Sequence, residues 1–283
     1  MIKSIGIVGA GTMGCGIAQV AALSRYEVMI YDSSADVMKG AMARIKEDLR
    51  RAVEQGHVTS TEATEALSYI EICKNFGVLG SAHFIVEAAS EDLGVKREIF
   101  RKLDEIVSPS VVLATNTSSF SITTIAAFTK TPESVVGMHF FNPPLLMKLT
   151  EIIRGTFTSD QAVRLTTEVA TRMKKTPVVC RDTPGFIVNR VARPFYGEAL
   201  RLLGEGVATV EEIDRIVKRE GGFRMGPFEL MDLIGIDVNY AVTKSVYEQF
   251  FQEPRFRPHP IQRQMVEGGT LGRKTKKGFY NYK

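Results

Sequence analysis

The stretch Ser4–Asp32, SIGIVGAGTMGCGIAQVAALSRYEVMIYD, decides the fold of this chain. Its segments Ser4–Val8 and Glu27–Tyr31 are apolar runs typical of short buried strands. Cys15–Ser24, rich in alanine and other apolar residues, is predicted to form a helix between them. The glycine-rich turn Gly9–Gly14 joins the first strand to this helix. Strand, turn, helix and strand in this order and length predict a βαβ unit.

The turn after the first strand has the pattern GxGxxG, which is typical of dinucleotide binding when it stands between a strand and a helix. Gly9 permits the tight turn, Gly11 lets the backbone approach a pyrophosphate, and Gly14 lets helix and strand pack closely. The helix N-terminus then offers N–H groups to the phosphates. A glycine-rich turn without a ligand is the alternative, and the acidic residue that ends the second strand argues against it. The residues expected to hold the dinucleotide here are Gly9, Gly11, Thr12, Met13, Gly14 and Asp32.

Strand-like runs and helical stretches alternate beyond this unit, which predicts a mostly parallel sheet covered on both faces, a Rossmann-type α/β domain. The segment Ser33–Ser68 is polar, highly charged and helical in pattern, with a break expected at Gly56. We therefore expect two helices there, forming an inserted helical hairpin. The further strands are expected at Phe84–Val86, Val111–Thr115, Val135–Phe140, Leu149–Ile153 and Val178–Cys180.

A domain boundary is expected near residue 183. Thr183 and Pro184 are typical of a helix start, because threonine caps helices and proline is tolerated at the first helical position. Farther on, Thr209 and Glu212 predict a capping box for a helix over Val210–Lys218. No convincing strand pattern appears in this part of the chain. We expect a dinucleotide-binding Rossmann-type domain at residues 1–183 and an all-helical domain at residues 184–283.

The composition is that of an ordinary globular protein, with 44% hydrophobic and 24% charged residues among 283. A net charge of +4 is too small to argue for nucleic acid binding. The cysteines Cys15, Cys73 and Cys180 form no CxxC pair, so we expect no metal site, no disulfide framework and a reducing, cytoplasmic location. The uncharged segment Ile5–Leu23 is interrupted by glycines, which argues against a signal peptide or a membrane span.

Polar side chains follow two of the predicted strands, at the edge where parallel sheets bind ligands. Asn116–Ser119 come directly after the strand that ends at Thr115, and His139 stands near the end of the next strand. Glu151 lies inside the apolar strand after that, where a buried carboxylate needs a partner. Each feature alone has a simpler interpretation: a serine-rich loop, a structural histidine, and a carboxylate that faces solvent or pairs with Arg154. Together, beside a dinucleotide motif, they predict one catalytic site.

The motifs GAGTMG, NTSS, MHFFNP and PGFIVNR, in this order and spacing, resemble those of the 3-hydroxyacyl-CoA dehydrogenases. The resemblance continues through MGPFEL to the ending LGRKTKKGFYNY, and in length it matches the bacterial members that act on 3-hydroxybutyryl-CoA. It implies NAD-dependent interconversion of an (S)-3-hydroxyacyl-CoA, expected to be short-chain, and the 3-ketoacyl-CoA. It also implies a place in fatty acid metabolism, in β-oxidation or butanoate metabolism.

By this resemblance His139 is the catalytic acid/base and Glu151 its partner, while Ser118 and Asn189 hydrogen-bond to the substrate. The chemistry agrees, because oxidising a secondary alcohol removes a hydride and a proton, and a neutral imidazole takes up a proton near neutral pH. Beyond the glycine turn, contacts to NAD are expected from Glu91, Lys96, Asn116, Ser118, Asn142 and Lys274.

The partners expected from the resemblance are an acyl-CoA substrate and a second copy of the chain, with no nucleic acid and no membrane. Arg50 and Arg51 of the hairpin are candidates to contact CoA phosphates. Alternatively, they belong to a solvated helix face on which they pair with Glu47 and Asp48. In the family the helical domain is the dimerisation domain, so a homodimer through that domain is expected.

Two other functions stay open at this point. One is a related hydroxy-acid or sugar-acid dehydrogenase built on the same scaffold. The other is a non-catalytic NAD-binding protein, in which His139 and Glu151 would be dispensable.

The expected cofactor preference follows from Asp32. A carboxylate at this position accepts hydrogen bonds from ribose hydroxyls and repels a 2′-phosphate, and Ser33 and Ser34 supply no cation to offset the repulsion. We predict a clearly higher kcat/KM with NADH than with NADPH in paired assays on one ketone substrate. Equal or better use of NADPH would show that Asp32 does not contact the ribose.

Overall fold

The computed structural model describes residues 2–283, which form two compact units, one ending at Thr183 and one spanning Pro184–Lys283. The strands are β1 Ser4–Val8, β2 Glu27–Tyr31, β3 Ile70–Ile72, β4 Phe84–Glu87, β5 Val112–Thr115, β6 Val135–Phe140, β7 Leu149–Arg154 and β8 Thr176–Arg181. The first unit also contains α1 Thr12–Leu23, α2 Ala35–Glu54, α3 Ser60–Ser68, α4 Leu93–Ile106, α5 Ile122–Ala126 and α6 Asp160–Arg172. The second unit contains α7 Val188–Gly204, α8 Val210–Arg219, α9 Pro227–Ile234, α10 Ile236–Gln249 and α11 Pro260–Glu267.

The eight strands form one sheet in the order β3-β2-β1-β4-β5-β6-β7-β8. All neighbouring strands run parallel except β6 and β7, which are antiparallel. The chain order reverses between β1 and β4, the kind of position at which doubly wound sheets bind ligands beyond the carboxyl ends of their strands. The predicted class, a Rossmann-type α/β domain followed by a helical domain, is confirmed.

The central strands β1, β4 and β5 are buried at every position. Strands that are buried on both faces read as continuous apolar runs instead of alternating ones, which is why they stand out in the sequence. The small residues of α1, from Cys15 to Ala22, belong to the same core. Two polar side chains at the carboxyl ends of these strands, Glu87 and Thr115, are also fully buried.

The polar segment after β2 forms the expected helical hairpin, α2 and α3. The chain turns between them at Gly56, whose φ of +73° lies in the left-handed region that glycine adopts without strain. Thr59 starts α3 with a capping box to Glu62. The apolar side chains of Ile45 and Leu49 are buried in the core of the first unit, so the hairpin is packed onto the domain.

The second unit has its own apolar cluster, which includes Leu200, Phe228, Met231 and Ile236. Its helix α8 begins with the expected capping box at Thr209. Across residues 2–283, no helix combines the length and the apolar character that a bilayer crossing requires.

Some element boundaries differ from the expectations. The prediction that a helix starts at Thr183 and Pro184 is wrong, because α7 begins at Val188. The residues between, Gly185 with φ +74° and Phe186 with φ +47°, are left-handed and therefore cannot belong to an α-helix. The short strand β3 was not expected, and α1 begins inside the glycine turn itself.

Candidate active site

The glycine turn is closely packed on one side and open on the other. Gly9 has φ +106°, and a Cβ there would lie 2.5 Å from the Ala88 carbonyl oxygen. A Cβ at Gly14 would lie 1.9 Å from the Gly9 carbonyl oxygen, whereas a Cβ at Gly11 would meet no atom within 4 Å. Gly9 and Gly14 are therefore required by packing. Gly11 instead borders open space at the N-terminus of α1, where no side chain caps the helix.

Asp32 lies beside this turn at the end of β2. Its Oδ2 accepts a hydrogen bond from the Ala10 N–H at 2.9 Å, and its Oδ1 accepts one from the Ser34 N–H at 2.8 Å. Each carboxylate oxygen keeps a lone pair with which it can accept a ribose hydroxyl. Arg44 of α2 reaches the same turn and donates to the Ala10 carbonyl at 3.2 Å. The open space at Gly11, the uncapped helix and this carboxylate fit the pyrophosphate and ribose of NAD.

His139 and Glu151 face each other across the one antiparallel strand pair of the sheet. The register of β6 and β7 sets them directly opposite, and His139 Nδ1 lies 2.7 Å from Glu151 Oε2. Both side chains are buried, at 6% and 0% exposure. Arg154, the alternative partner of Glu151, instead pairs with Asp160 at 2.5 Å. A neutral imidazole that donates from Nδ1 to the carboxylate keeps Nε2 as a proton acceptor.

Glu91 organises the polar loop that follows β5. Its Oε1 accepts hydrogen bonds from Thr117 Oγ1 at 2.6 Å and from the Ser118 and Ser119 N–H groups at 2.9 and 3.1 Å. Burial raises the pKa of Glu91, but the Lys96 charge and these hydrogen bonds outweigh it, so the pKa is below its ordinary value. Glu91 is therefore an ionised carboxylate at neutral pH, and it fixes the backbone that carries Ser118.

Lys96 of α4 is buried, at 1% exposure, and its ammonium is surrounded by carboxylates. Nζ lies 2.8 and 3.0 Å from the two oxygens of Glu87 and 3.3 Å from Glu91 Oε2. Glu87 was not anticipated from the sequence, where it is the last residue of an apolar strand with no motif around it. In the structure its complete burial and its contact with Lys96 distinguish it.

Asn116 links the loop after β5 to the strand of His139. Its Oδ1 accepts a hydrogen bond from the Phe140 N–H at 2.8 Å. Asn142 follows at the end of the same strand and precedes a cis peptide bond to Pro143. The structure thus brings Asn116, the Ser118 loop and the His139 strand together at the carboxyl edge of the sheet.

Two predicted site residues belong to the second unit. Asn189 lies in the first turn of α7, where its carbonyl accepts a hydrogen bond from Arg193 Nε at 3.1 Å. Lys274 forms an ion pair with Asp237, with Nζ 2.5 Å from Oδ1. Their contacts with substrate and NAD remain predictions.

Arg50 and Arg51 lie on the exposed face of α2, and both pair with Glu47 at 2.8 Å. The hydrogen bonds from Arg50 and Arg51 lower the pKa of Glu47 to about 2. The structure therefore shows the ion-paired helix face, and contact with CoA phosphates remains a prediction. Within residues 2–283, no cluster of side chains suited to hold a metal ion is present.

The sheet order, the glycine turn with its acidic partner and the buried imidazole–carboxylate pair together define a nicotinamide-dependent dehydrogenase. Two family models extend this result: "3-hydroxyacyl-CoA dehydrogenase, NAD binding domain" matches residues 4–183, and "3-hydroxyacyl-CoA dehydrogenase, C-terminal domain" matches residues 185–282. The chain belongs to the 3-hydroxyacyl-CoA dehydrogenase family, whose members are NAD-dependent oxidoreductases.

Relatives of known name agree with this assignment. The chain is 45% identical to the 3-hydroxyadipyl-CoA dehydrogenase of Escherichia coli, with all of this chain aligned to 59% of that protein. It is 42% identical to the 3-hydroxybutyryl-CoA dehydrogenase of Bradyrhizobium diazoefficiens, covering 100% of this chain and 96% of that one. The crystal structure of (S)-3-hydroxybutyryl-CoA dehydrogenase from Ralstonia eutropha superposes with a TM-score of 0.95 at 39% identity, covering both chains completely.

The two kinds of glycine in the turn predict different variants. Gly11→Ala adds a methyl group to open space, at a φ of −71° that alanine adopts freely, so the fold should keep its stability while the approach of a pyrophosphate is blocked. We expect the Kd for NADH to rise by at least about tenfold, about 1.4 kcal/mol. NADH fluorescence titration and thermal unfolding measure the two effects.

Gly40→Ala is the matched control, because a Cβ at this helical position of α2 also meets open space. It should leave the Kd for NADH unchanged. Normal NADH binding by Gly11→Ala would show that the pyrophosphate does not pass over Gly11.

Proposed function

We propose that this chain interconverts (S)-3-hydroxyacyl-CoA and 3-ketoacyl-CoA with NAD, and that His139 and Glu151 form its acid/base pair. The observation that carries the proposal is the buried 2.7 Å contact between His139 Nδ1 and Glu151 Oε2, at the carboxyl edge of a sheet with a dinucleotide motif. A non-catalytic NAD-binding protein would gain nothing from a buried imidazole held by a carboxylate, since burying polar groups costs free energy.

His139 and Glu151 are proposed to carry out the proton transfer of the reaction. In the oxidising direction, His139 Nε2 takes the hydroxyl proton, and the positive charge that forms on the ring is stabilised by the Glu151 carboxylate. In the reducing direction the same nitrogen returns the proton to the ketone oxygen. When bound, NAD would supply the acceptor for the hydride that leaves the carbon bearing the hydroxyl group. A positioned acid/base group of this kind contributes about 10²- to 10⁴-fold to the rate.

Ser118 and Asn189 are proposed to hydrogen-bond to the reacting oxygen and to the thioester carbonyl. For Ser118 the support is its place in the loop after β5, where Glu91 fixes its backbone N–H at 2.9 Å. The glycine turn, Asp32, Glu91, Asn116 and Asn142 line the same edge of the sheet and are proposed to hold NAD. Lys274 is proposed to do so from the second unit.

We further propose that the acyl chain is short and that the protein acts in the cytoplasm as a homodimer, within fatty acid or butanoate metabolism. Relatives named 3-hydroxybutyryl-CoA dehydrogenase, which match over nearly their whole length, support the first point. The free thiols of Cys15, Cys73 and Cys180 are compatible with a reducing compartment and support the second point. Exposed apolar side chains on the second unit, among them Val191, Phe223 and Val238, support a subunit interface there.

The acid/base pair is tested by His139→Ala and Glu151→Gln. We predict that each lowers kcat by about 10²- to 10⁴-fold, because proton transfer loses either its acceptor or the carboxylate that stabilises the charged ring. NADH affinity, measured by fluorescence titration, should stay near the wild-type value. His57→Ala, a change at an exposed histidine of the hairpin turn, is the control and should keep full activity. Wild-type turnover in either dyad variant would remove the pair from the mechanism.

The substrate is tested by NADH oxidation with acetoacetyl-CoA, longer 3-ketoacyl-CoAs and 3-ketoadipyl-CoA, and by NAD reduction with free 3-hydroxy acids and gulonate. We expect the highest kcat/KM for acetoacetyl-CoA and little activity without the CoA group. A clear preference for 3-ketoadipyl-CoA would contradict the proposed acyl chain. A free acid oxidised as efficiently as the CoA ester would support a hydroxy-acid or sugar-acid dehydrogenase instead.

A further inference from the structure

A group of buried charges lies where β4 and β5 end and α4 begins. The buried charge cluster consists of Glu87 and Lys96, with the Thr115 hydroxyl bonded to Glu87 and the exposed Glu91 carboxylate beside Lys96. Glu87 and Thr115 are fully buried and Lys96 is 1% exposed. Thr115 Oγ1 donates to Glu87 Oε2 at 2.6 Å, and the Ala89 N–H donates to Glu87 Oε1 at 2.8 Å. Counting the Lys96 ammonium, each oxygen of Glu87 has two protein donors, and the side chain is fully buried, so Glu87 is not placed to contact a ligand directly.

Lys96 connects Glu87 to Glu91. Its ammonium donates hydrogen bonds to Glu87 Oε1 and Oε2 at 2.8 and 3.0 Å, and it forms an ion pair with Glu91, with Nζ 3.3 Å from Oε2. The shorter contacts show that Glu87 is the main counter-charge. A buried ammonium needs a carboxylate partner, and among the described residues Lys96 pairs with Glu87 and Glu91. Removing the Glu87 charge would therefore leave Lys96 paired with Glu91.

Glu91 connects Lys96 to the loop that carries Ser118. While Oε2 faces Lys96, Oε1 accepts bonds from Thr117, Ser118 and Ser119 at distances of 2.6 to 3.1 Å. The two oxygens belong to one rigid carboxylate. A shift of Oε2 towards Lys96 therefore withdraws Oε1 from the loop.

The backbone next to Glu87 also meets the glycine turn. Ala88 donates its N–H to the Val8 carbonyl at 2.7 Å, and its own carbonyl oxygen would lie 2.5 Å from a Cβ at Gly9. Asn116, at the start of the polar loop, donates its N–H to the Glu87 carbonyl at 2.8 Å. Glu87 therefore stands at the junction of three segments of the proposed NAD site.

We infer that Glu87 is a positioning residue for NAD: through Lys96 it places the Glu91 carboxylate, and with it the Ser118 loop, for the bound dinucleotide. This inference rests on the proposed function, in which NAD occupies this edge of the sheet. Lys96, which is expected from the sequence to contact NAD, would on this inference act indirectly, because its buried ammonium is paired with Glu87 and Glu91.

Glu87→Gln tests the inference, because glutamine keeps the shape of the side chain and removes its charge. Lys96 would then pair with Glu91 alone and draw the Glu91 carboxylate away from the loop. The Kd for NADH should therefore rise by at least about tenfold, about 1.4 kcal/mol. The Kd is measured by NADH fluorescence, to which the protein adds no tryptophan signal because the chain contains no tryptophan. In steady-state assays the KM for NADH should rise with it, and the KM for acetoacetyl-CoA should rise as well, because the displaced loop carries Ser118. A role confined to stability would shift thermal unfolding without raising either KM.

The double variant Glu87→Gln/Lys96→Met provides the rescue. It removes both members of the pair and leaves no unpaired buried charge, so Glu91 should keep its bonds to the loop. We expect its Kd for NADH to return most of the way to the wild-type value. Should Glu87→Gln fail to fold, Glu87→Asp replaces it, because aspartate keeps the charge on a shorter side chain and should also raise the Kd for NADH.

The control is Asp104→Asn, a change near the other end of α4. Asp104 accepts hydrogen bonds from the Lys130 N–H and Thr131 Oγ1, at 2.9 and 2.8 Å, away from the buried charge cluster. Its Kd for NADH should match that of the wild type.

The outcomes separate the inference from the proposed function. Wild-type protein that binds no NADH would contradict the proposed function. Wild-type protein that binds NADH, together with an unchanged Kd in Glu87→Gln, would overturn the inference alone. So would a weakened Glu87→Gln that the second substitution does not rescue, because Glu87 would then act by another route than Lys96.

Discussion

The contact between the glycine turn and the segment that leaves β4 constrains the whole carboxyl edge of the sheet. A Cβ at Gly9 would lie 2.5 Å from the Ala88 carbonyl oxygen, and one at Gly14 would lie 1.9 Å from the Gly9 carbonyl oxygen. Three backbone segments thus meet with no room for a side chain. Because Glu87 and Glu91 flank this contact in the chain, the helix N-terminus proposed to bind phosphates and the carboxylates beside it keep a fixed relation to one another.

The antiparallel pairing of β6 and β7 is the second constraint on the geometry of the proposed site. If β7 ran parallel to β6, the cross-strand register that sets Glu151 opposite His139 would not exist. The pair lies on two strands instead of on loops, so its geometry is held by the backbone ladder. Burying such a pair adds little net stability, because desolvation offsets the attraction between the partners. Its position is therefore better explained by chemistry than by folding.

The sequence predicted the elements whose signals are local. β1, α1 and β2 were readable because buried strands are continuous apolar runs and the glycines stand between them. The contact of His139 with Glu151 was not readable from the residues alone, because it depends on strand direction; the family resemblance suggested it. Glu87 gave no signal, since an acidic residue at the end of a strand ordinarily faces water. The helix start at Thr183 failed because the left-handed conformation of Phe186 leaves no trace in composition.

Strands and loops position different residues of the proposed site. The proton-transfer pair is carried by β6 and β7, whereas Asp32, Glu91 and Ser118 follow strand ends and depend on side-chain bonds for their positions. A perturbation of those loop bonds should therefore reach dinucleotide affinity before it reaches the acid/base pair. The exception is Asn116, whose Oδ1 accepts the Phe140 N–H at 2.8 Å and so couples the loop to the strand of His139. Through that bond, cofactor position and proton transfer share one structural support.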